Sequence, residues 1–170
     1  KAFKIGSGEC NNYPLVDYIS SFGKPVIIST GMNDVCSIKK AIKILKKRGV
    51  QYAILHTTNL YPTLHNQVRL NALTELKKIF PNTVIGLSDH TGDNYTSYAA
   101  VALGASIIEK HFIDESSRRG PDVSASVNTE QMIELIKGVN LIYKAIPGGI
   151  KPIKREKKTA NFAFASVVAN

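Results

Sequence analysis

The feature that most constrains this chain is a rhythm. Short runs rich in β-branched residues alternate with amphipathic helical stretches, about five times along its 170 residues. The runs at 3–5, 25–29, 52–56, 83–87 and 106–110 are nearly continuous in apolar character rather than alternating polar with apolar. That pattern marks strands buried on both faces, as in a parallel sheet covered by helices. Strand–helix–strand units of this length connect by right-handed crossovers.

Five helices are expected between and after the strands. Pro14 opens the first, where its missing N–H leaves nothing unsatisfied, and Leu15, Val16, Ile19 and Phe22 mark its buried face. Ile38, Ala41, Ile42 and Leu45 mark the second, which Gly49 stops. Leu73, Leu76, Ile79 and Phe80 mark the third, closed by Pro81, and Ala99, Val101 and Leu103 belong to a shorter fourth. The longest begins after Asn128, with Gln131 placed for a capping box, and Met132, Leu135, Ile136, Val139, Ile142 and Tyr143 mark its buried face. After Pro147-Gly148-Gly149 the pattern gives way to a basic tail, in which 162–168 has the look of an extended stretch. Five units cannot close a (β/α)₈ barrel, which needs eight and typically about 250 residues. The rhythm alone therefore leaves an open doubly wound sheet and part of a larger barrel as alternatives.

Composition narrows the function classes. No apolar run approaches the roughly 20 residues of a membrane helix, and no secretory signal opens the chain, although a start at Lys1 leaves room for an upstream segment. Cys10 and Cys36 have no metal-ligand spacing and form no disulfide framework, which suits reduced thiols in a cytoplasmic protein. The formal charge of +9 admits nucleic acid or acidic small molecules as partners. Much of that charge sits opposite apolar helical stripes, around Lys39-Lys40, Lys46-Lys47-Arg48 and Lys77-Lys78, and no aromatic residues interleave with it. Solvated helix faces explain it better than nucleic acid does.

Ligands of parallel α/β folds bind where strands end. The expected strands run into Ser7-Gly8-Glu9, Ser29-Thr30-Gly31, Thr57-Thr58-Asn59 with Tyr61, Ser88-Asp89-His90 and Glu109-Lys110-His111, with Asp122 shortly beyond. Lys4 lies inside an apolar strand, a costly place for an ammonium unless it meets an anion. With Ser7, Ser29, Asn59 and Ser88 it can ring one phosphate. His90 and His111 end neighbouring strands and can share one divalent transition metal, or be two ordinary hydrogen-bonded histidines. His56 also follows a strand and is a candidate third ligand, but it sits deeper in its strand, which favours a packed core histidine. Glu9 and Asp122 are candidate acid–base groups.

Six segments recur in a familiar order: Lys4-Ile5-Gly6-Ser7-Gly8-Glu9, Ser29-Thr30-Gly31-Met32, His56-Thr57-Thr58-Asn59-Leu60-Tyr61-Pro62, Gly86-Leu87-Ser88-Asp89-His90-Thr91, Glu109-Lys110-His111-Phe112 and Gly120-Pro121-Asp122. In series they resemble the bacterial N-acetylneuraminate (sialic acid) synthase family, which also contains legionaminate and pseudaminate synthases and the animal enzyme that makes the 9-phosphate. Glu9-Cys10-Asn11-Asn12-Tyr13-Pro14 leans towards the neuraminate and legionaminate branches.

The resemblance implies a TIM-type (β/α)₈ barrel of which 1–147 carries about strands four to eight. It makes 148–170 a linker towards an antifreeze-like domain that this sequence does not contain. It also implies a homodimer when full length, and a transferase that condenses phosphoenolpyruvate with an N-acylated amino sugar such as N-acetylmannosamine, releasing phosphate. By the same resemblance, Lys4, Ser7, Ser29, Asn59 and Ser88 hold phosphoenolpyruvate, and Tyr61 and Asp122 approach the sugar. Glu9 is a catalytic carboxylate. His90 and His111 ligate a divalent metal, usually Mn²⁺, with Mg²⁺ or Co²⁺ as alternatives. The other expectations are a different phosphoenolpyruvate-using barrel synthase, and an inactive barrel piece with a structural or binding role.

Overall fold

The computed structural model describes residues 1–115 and 117–164. Six parallel strands form one sheet: β1 (Phe3–Ile5), β2 (Val26–Ser29), β3 (Tyr52–Thr57), β4 (Val84–Asp89), β5 (Ile107–Phe112) and β6 (Ser126–Val127). Between and after them come α1 (Tyr13–Ser20), α2 (Val35–Lys47), α3 (Asn71–Ile79), α4 (Tyr95–Ala102), α5 (Thr129–Ala145) and α6 (Lys157–Ala163). The strand order is the chain order, β1 to β6, with every pairing parallel. A doubly wound sheet reverses direction at a switch point, and this one never does.

The sheet is curled. Four strand spacings of about 4.8 Å would separate β1 and β5 by roughly 19 Å in a flat sheet. Lys4 on β1 nevertheless reaches Glu109 on β5, with 3.4 Å between ammonium and carboxylate. The fold is thus a parallel β/α half-barrel of TIM-like type. Among the described residues β1 and β6 each pair on one side only.

The register assigns the faces. Lys4 pairs with Ile27, Ile27 with Ala53, Leu55 with Gly86, Ser88 with Glu109 and His111 with Ser126. Paired residues share a face and alternate along each strand, so these line the concave lumen. The intervening residues, including Ile5, Ile28, Ile54, Ile85 and Leu87, face the helices. There they pack with Val16, Ile38, Ile42, Leu45, Leu73 and Leu76 in the main core. Gly86 is needed in the lumen, since a Cβ there would lie 2.4 Å from the Ile107 carbonyl oxygen.

Helix ends follow local chemistry. Asn12 caps α1 through the Leu15 N–H, and Asp34 caps α2 through the Ser37 N–H at 2.7 Å. Gly49 takes a φ of +68° just past the end of α2. Asn128 and Gln131 form the expected reciprocal capping box of α5, each bond 2.9 Å.

Four expectations differ from the structure. Phe22, expected on the buried face of the first helix, lies past the end of α1 and is exposed. The two-residue β6 was not anticipated. The stretch expected to be extended begins as helix, because α6 includes Phe162 and Ala163; residues 165–168 of it lie outside the described residues. The apolar face of α5 is mostly uncovered: Leu135 is buried, whereas Ile136 and Tyr143 are 54% and 69% exposed. α5 packs mainly against α4.

Candidate active site at the strand C-terminal ends

The lumen side of the strand ends holds one connected set of polar groups. Lys4 donates to the Ser29 hydroxyl at 2.9 Å and pairs with Glu109 at 3.4 Å. Ser88 donates to Glu109 at 2.7 Å and lies 3.5 Å from His90 Nε2. The His90 and His111 ring centroids are 5.1 Å apart. Tyr61 stacks on His90 at 4.2 Å and meets His111 edge-on at 5.5 Å. Asp122 closes the series, with 3.8 Å between its carboxylate and His111 Nδ1. Because successive luminal residues on a strand are two apart, β4 and β5 present Ser88 with His90 and Glu109 with His111 side by side.

His90 Nδ1 lies 2.8 Å from the Thr58 carbonyl oxygen. A carbonyl only accepts, so Nδ1 carries the proton and Nε2 keeps its lone pair. Burial lowers the His90 pKa, against the opposing effect of that bond, and keeps the ring neutral at pH 7. Burial, then the Asp122 and Glu109 carboxylates, raise the pKa of the Tyr61 phenol and keep it protonated.

A second group lies beside the first. The buried Ser7 hydroxyl accepts the Gly31 N–H at 3.0 Å. A Cβ on Gly31 would sit 1.7 Å from Asn59 Oδ1, so only glycine admits that side chain. Asn59 Oδ1 and Thr57 Oγ1 are buried and have no hydrogen-bond partner among the described residues. Buried polar atoms without partners are uncommon, and these two hold acceptor or donor capacity that a ligand can use. Glu9 stands apart: it is exposed, and its carboxylate accepts from Asn12 at 2.7 Å at the start of α1.

Two features escaped the sequence reading. Glu109 is a central member of the luminal set although no role was assigned to it. Its place two residues before His111 was the available signal. Asp89 and Lys110, on the opposite face, form a buried ion pair at 3.1 Å. His56 also faces the helices, with Nε2 2.7 Å from the Val68 carbonyl oxygen, and is a packed core histidine as expected.

The donor set suits a divalent transition metal held by two imidazoles. His90 offers a free Nε2 lone pair from a ring fixed by a backbone carbonyl, an arrangement common behind metal-binding histidines. No group of three or more His, Cys, Asp or Glu residues able to hold an ion occurs among the described residues. Ligands beyond His90 and His111 would therefore come from water, substrate or other parts of the protein.

Fold and site together define a class: a TIM-like β/α half-barrel with an anion- and metal-suited luminal site at its strand C-termini. The chain belongs to the NeuB family, whose model matches residues 1–151. It is similar to the N,N'-diacetyllegionaminic acid synthase of Campylobacter jejuni, 41% identical over 173 residues covering 99% of this chain and 52% of that protein. It is also similar to the human N-acetylneuraminate-9-phosphate synthase, 34% identical over 151 residues covering 89% of this chain and 42% of that protein. A crystal structure of N-acetylneuraminic acid (sialic acid) synthetase from Leptospira borgpetersenii superposes with a TM-score of 0.87 at 28% identity, covering 96% of this chain and 57% of that one. The chain spans about half the length of the curated relatives it matches. No described helix is long and apolar enough to cross a membrane.

Proposed function

We propose that the protein carrying this chain is a nonulosonate synthase. It condenses phosphoenolpyruvate with an N-acylated amino sugar such as N-acetylmannosamine, breaking a C–O bond and releasing phosphate. The observation that carries this reading is the unbroken series of luminal contacts from Lys4 and Ser29 through Glu109, Ser88, His90 and His111 to Asp122. An ammonium with hydroxyl donors at one end and two imidazoles at the other support that reading, since the reaction of an anionic enol with an aldehyde calls for both.

Lys4, with the Ser29 and Ser7 hydroxyls and Asn59, binds the phosphoenolpyruvate anion. Glu109 balances the Lys4 charge before the anion arrives, which keeps an ammonium tolerable in the lumen. C3 of phosphoenolpyruvate attacks the aldehyde of the open-chain sugar, water adds at C2, and the tetrahedral intermediate expels phosphate. Lys4 and the hydroxyl donors stabilise the charge that builds on the departing phosphate. His90 and His111 would hold a divalent ion, Mn²⁺ with Mg²⁺ or Co²⁺ as alternatives, which would supply Lewis acidity for the aldehyde. Asp122, with its carboxylate 3.8 Å from His111 Nδ1, manages the proton of the attacking water or of the new alkoxide, whereas Glu9, bonded to Asn12 at the start of α1, would have to turn towards the lumen to share that role. Tyr61 covers the histidine pair and presents its ring to the sugar.

A second reading applies to this chain by itself. The unpaired edges of β1 and β6 and the bare apolar side of α5 favour a piece that works only with further barrel elements around it.

Phosphate release from phosphoenolpyruvate, Mn²⁺ and a panel of N-acylated amino sugars tests both readings, run on the chain and on the full-length protein. Release by the full-length protein with at least one sugar, and near-complete loss in His111→Ala, is expected. No release with any sugar overturns the synthase reading, and a near-normal rate in His111→Ala overturns the metal assignment.

A further inference from the structure

Behind the luminal set, on the face turned to the helices, lies a polar knot that the proposed reaction does not use. Asp89 and Lys110 are register partners on β4 and β5, one residue before His90 and His111 respectively. Their side chains are 0% and 2% exposed. Both oxygens of Asp89 are filled: Oδ1 accepts from the Thr91 N–H at 2.9 Å and the Thr91 hydroxyl at 2.8 Å. Oδ2 accepts from Thr96 at 2.7 Å and Ser97 at 2.6 Å, with the Lys110 ammonium at 3.1 Å. Lys110 in turn donates to the Thr91 and Asp93 carbonyls at 2.6 and 2.7 Å. Lys110 thus pairs with Asp89 on β4, and its hydrogen bonds to Thr91 and Asp93 tie β5 to the loop 91–93, which leaves β4 directly after His90.

A buried ion pair is a poor device for stability alone, because desolvating both charges offsets most of their attraction. Its best-attested use is to fix a register. Here the register it fixes is that of the two histidines. Asp89 and Thr91 hold the backbone on either side of His90, and Lys110 adjoins His111. The His90 ring needs this precision, since its tautomer depends on one bond to the Thr58 carbonyl.

We propose that Asp89 and Lys110 form a positioning pair that holds His90 and His111 side by side, with the His90 Nε2 lone pair turned to the lumen. Its bearing on metal affinity rests on the reading of the histidines as ligands; its bearing on ring orientation does not.

Three variants of the full-length protein separate orientation from stability: Lys110→Met, the double variant Asp89→Asn/Lys110→Met, and Ser97→Ala. Each is read three ways: thermal midpoint, metal-free ¹⁵N imidazole spectra of labelled histidine, and Mn²⁺ binding by electron paramagnetic resonance. The wild type is expected to show one Nδ1–H tautomer for His90. Lys110→Met lowers the midpoint by leaving Asp89 uncompensated, and the double variant recovers much of it. Both still show a tautomer mixture and about 10- to 100-fold weaker Mn²⁺ binding, the usual range for loss of a supporting partner. Ser97→Ala lowers the midpoint and leaves the His90 signal and Mn²⁺ affinity unchanged. A folded double variant with the wild-type His90 signal overturns the proposal, as does a signal that follows the midpoint across all three variants. Absence of Mn²⁺ binding in the wild type, with the His90 signal responding as expected, upholds the positioning pair and removes the metal-ligand reading instead.

Discussion

The seam between β4 and β5 carries polar residues on both faces, and the two faces treat them in opposite ways. On the helix side, Asp89, Thr91, Thr96 and Ser97 are buried and Lys110 keeps only a 2% exposed side chain, all bonded to one another. Burial alone would raise the Asp89 pKa, but the Lys110 charge and the bonds from Ser97, Thr96 and Thr91 outweigh it and hold the carboxyl below its ordinary value. On the lumen side, His111 and Glu109 keep partly exposed side chains, and His90 retains an uncommitted nitrogen. Polar residues at strand ends are thus of two kinds. Saturated ones hold the frame, and those with a spare lone pair or proton are available for chemistry.

The largest effect that can break this contrast comes from the saturated side. Asp89→Ala leaves the Lys110 ammonium buried without its counter-charge, and such changes cost about 3–5 kcal/mol. Chemical denaturation of the full-length protein measures it. A loss below about 1 kcal/mol would show that the knot relaxes and that the two faces differ less than their bonding suggests.

The next effect comes from the open side, and there stability and rate part company. Lys4 is about one-third exposed, with a side-chain exposure of 35%, so its pair with Glu109 contributes little to folding. Lys4→Met is expected to change stability by no more than about 1 kcal/mol while lowering the rate of phosphate release about 100-fold or more. A rate loss with an equally large stability loss would make Lys4 part of the frame.

The strands were legible because burial on both faces leaves continuous runs such as Tyr52–Thr57 that no surface element would carry. The candidate site was legible as a position, since polar residues collect where those runs stop. Which face each polar residue takes was not read, although period two along Glu109-Lys110-His111 already places Glu109 with His111 and Lys110 on the other side. β6 was illegible because two residues carry no period, and their pairing is decided by β5. The α5 stripe was visible, but the covering of a helix face depends on the elements beside it rather than on the helix. In the tail, Phe162-Ala163-Phe164 alternates like a strand, yet alanine favours helix, and α6 takes in Phe162 and Ala163. Cys10 was expected to be a plain reduced thiol; it is fully buried, and burial raises its pKa to about 11, which makes it inert.

The smallest expected effect sharpens the contrast within one residue type. His56 and His90 are both buried and both bonded to backbone carbonyls, but through opposite nitrogens: Nε2 for His56 and Nδ1 for His90. Burial lowers the His56 pKa despite the bond to Val68. The unfolded imidazole titrates near about 6.5, so below that pH the unfolded state binds more protons than the folded one. The His56 contribution to stability is therefore complete above about 6.5 and declines as pH falls towards the lowered folded value. His56→Gln keeps a donor for the Val68 carbonyl and cannot protonate. Denaturation midpoints across this window are expected to fall less steeply in the variant than in the wild type, with little change at higher pH. An unchanged slope would mean that His56 accepts its proton without penalty, and that the helix side of the sheet is not sealed at β3 as it is at β4 and β5.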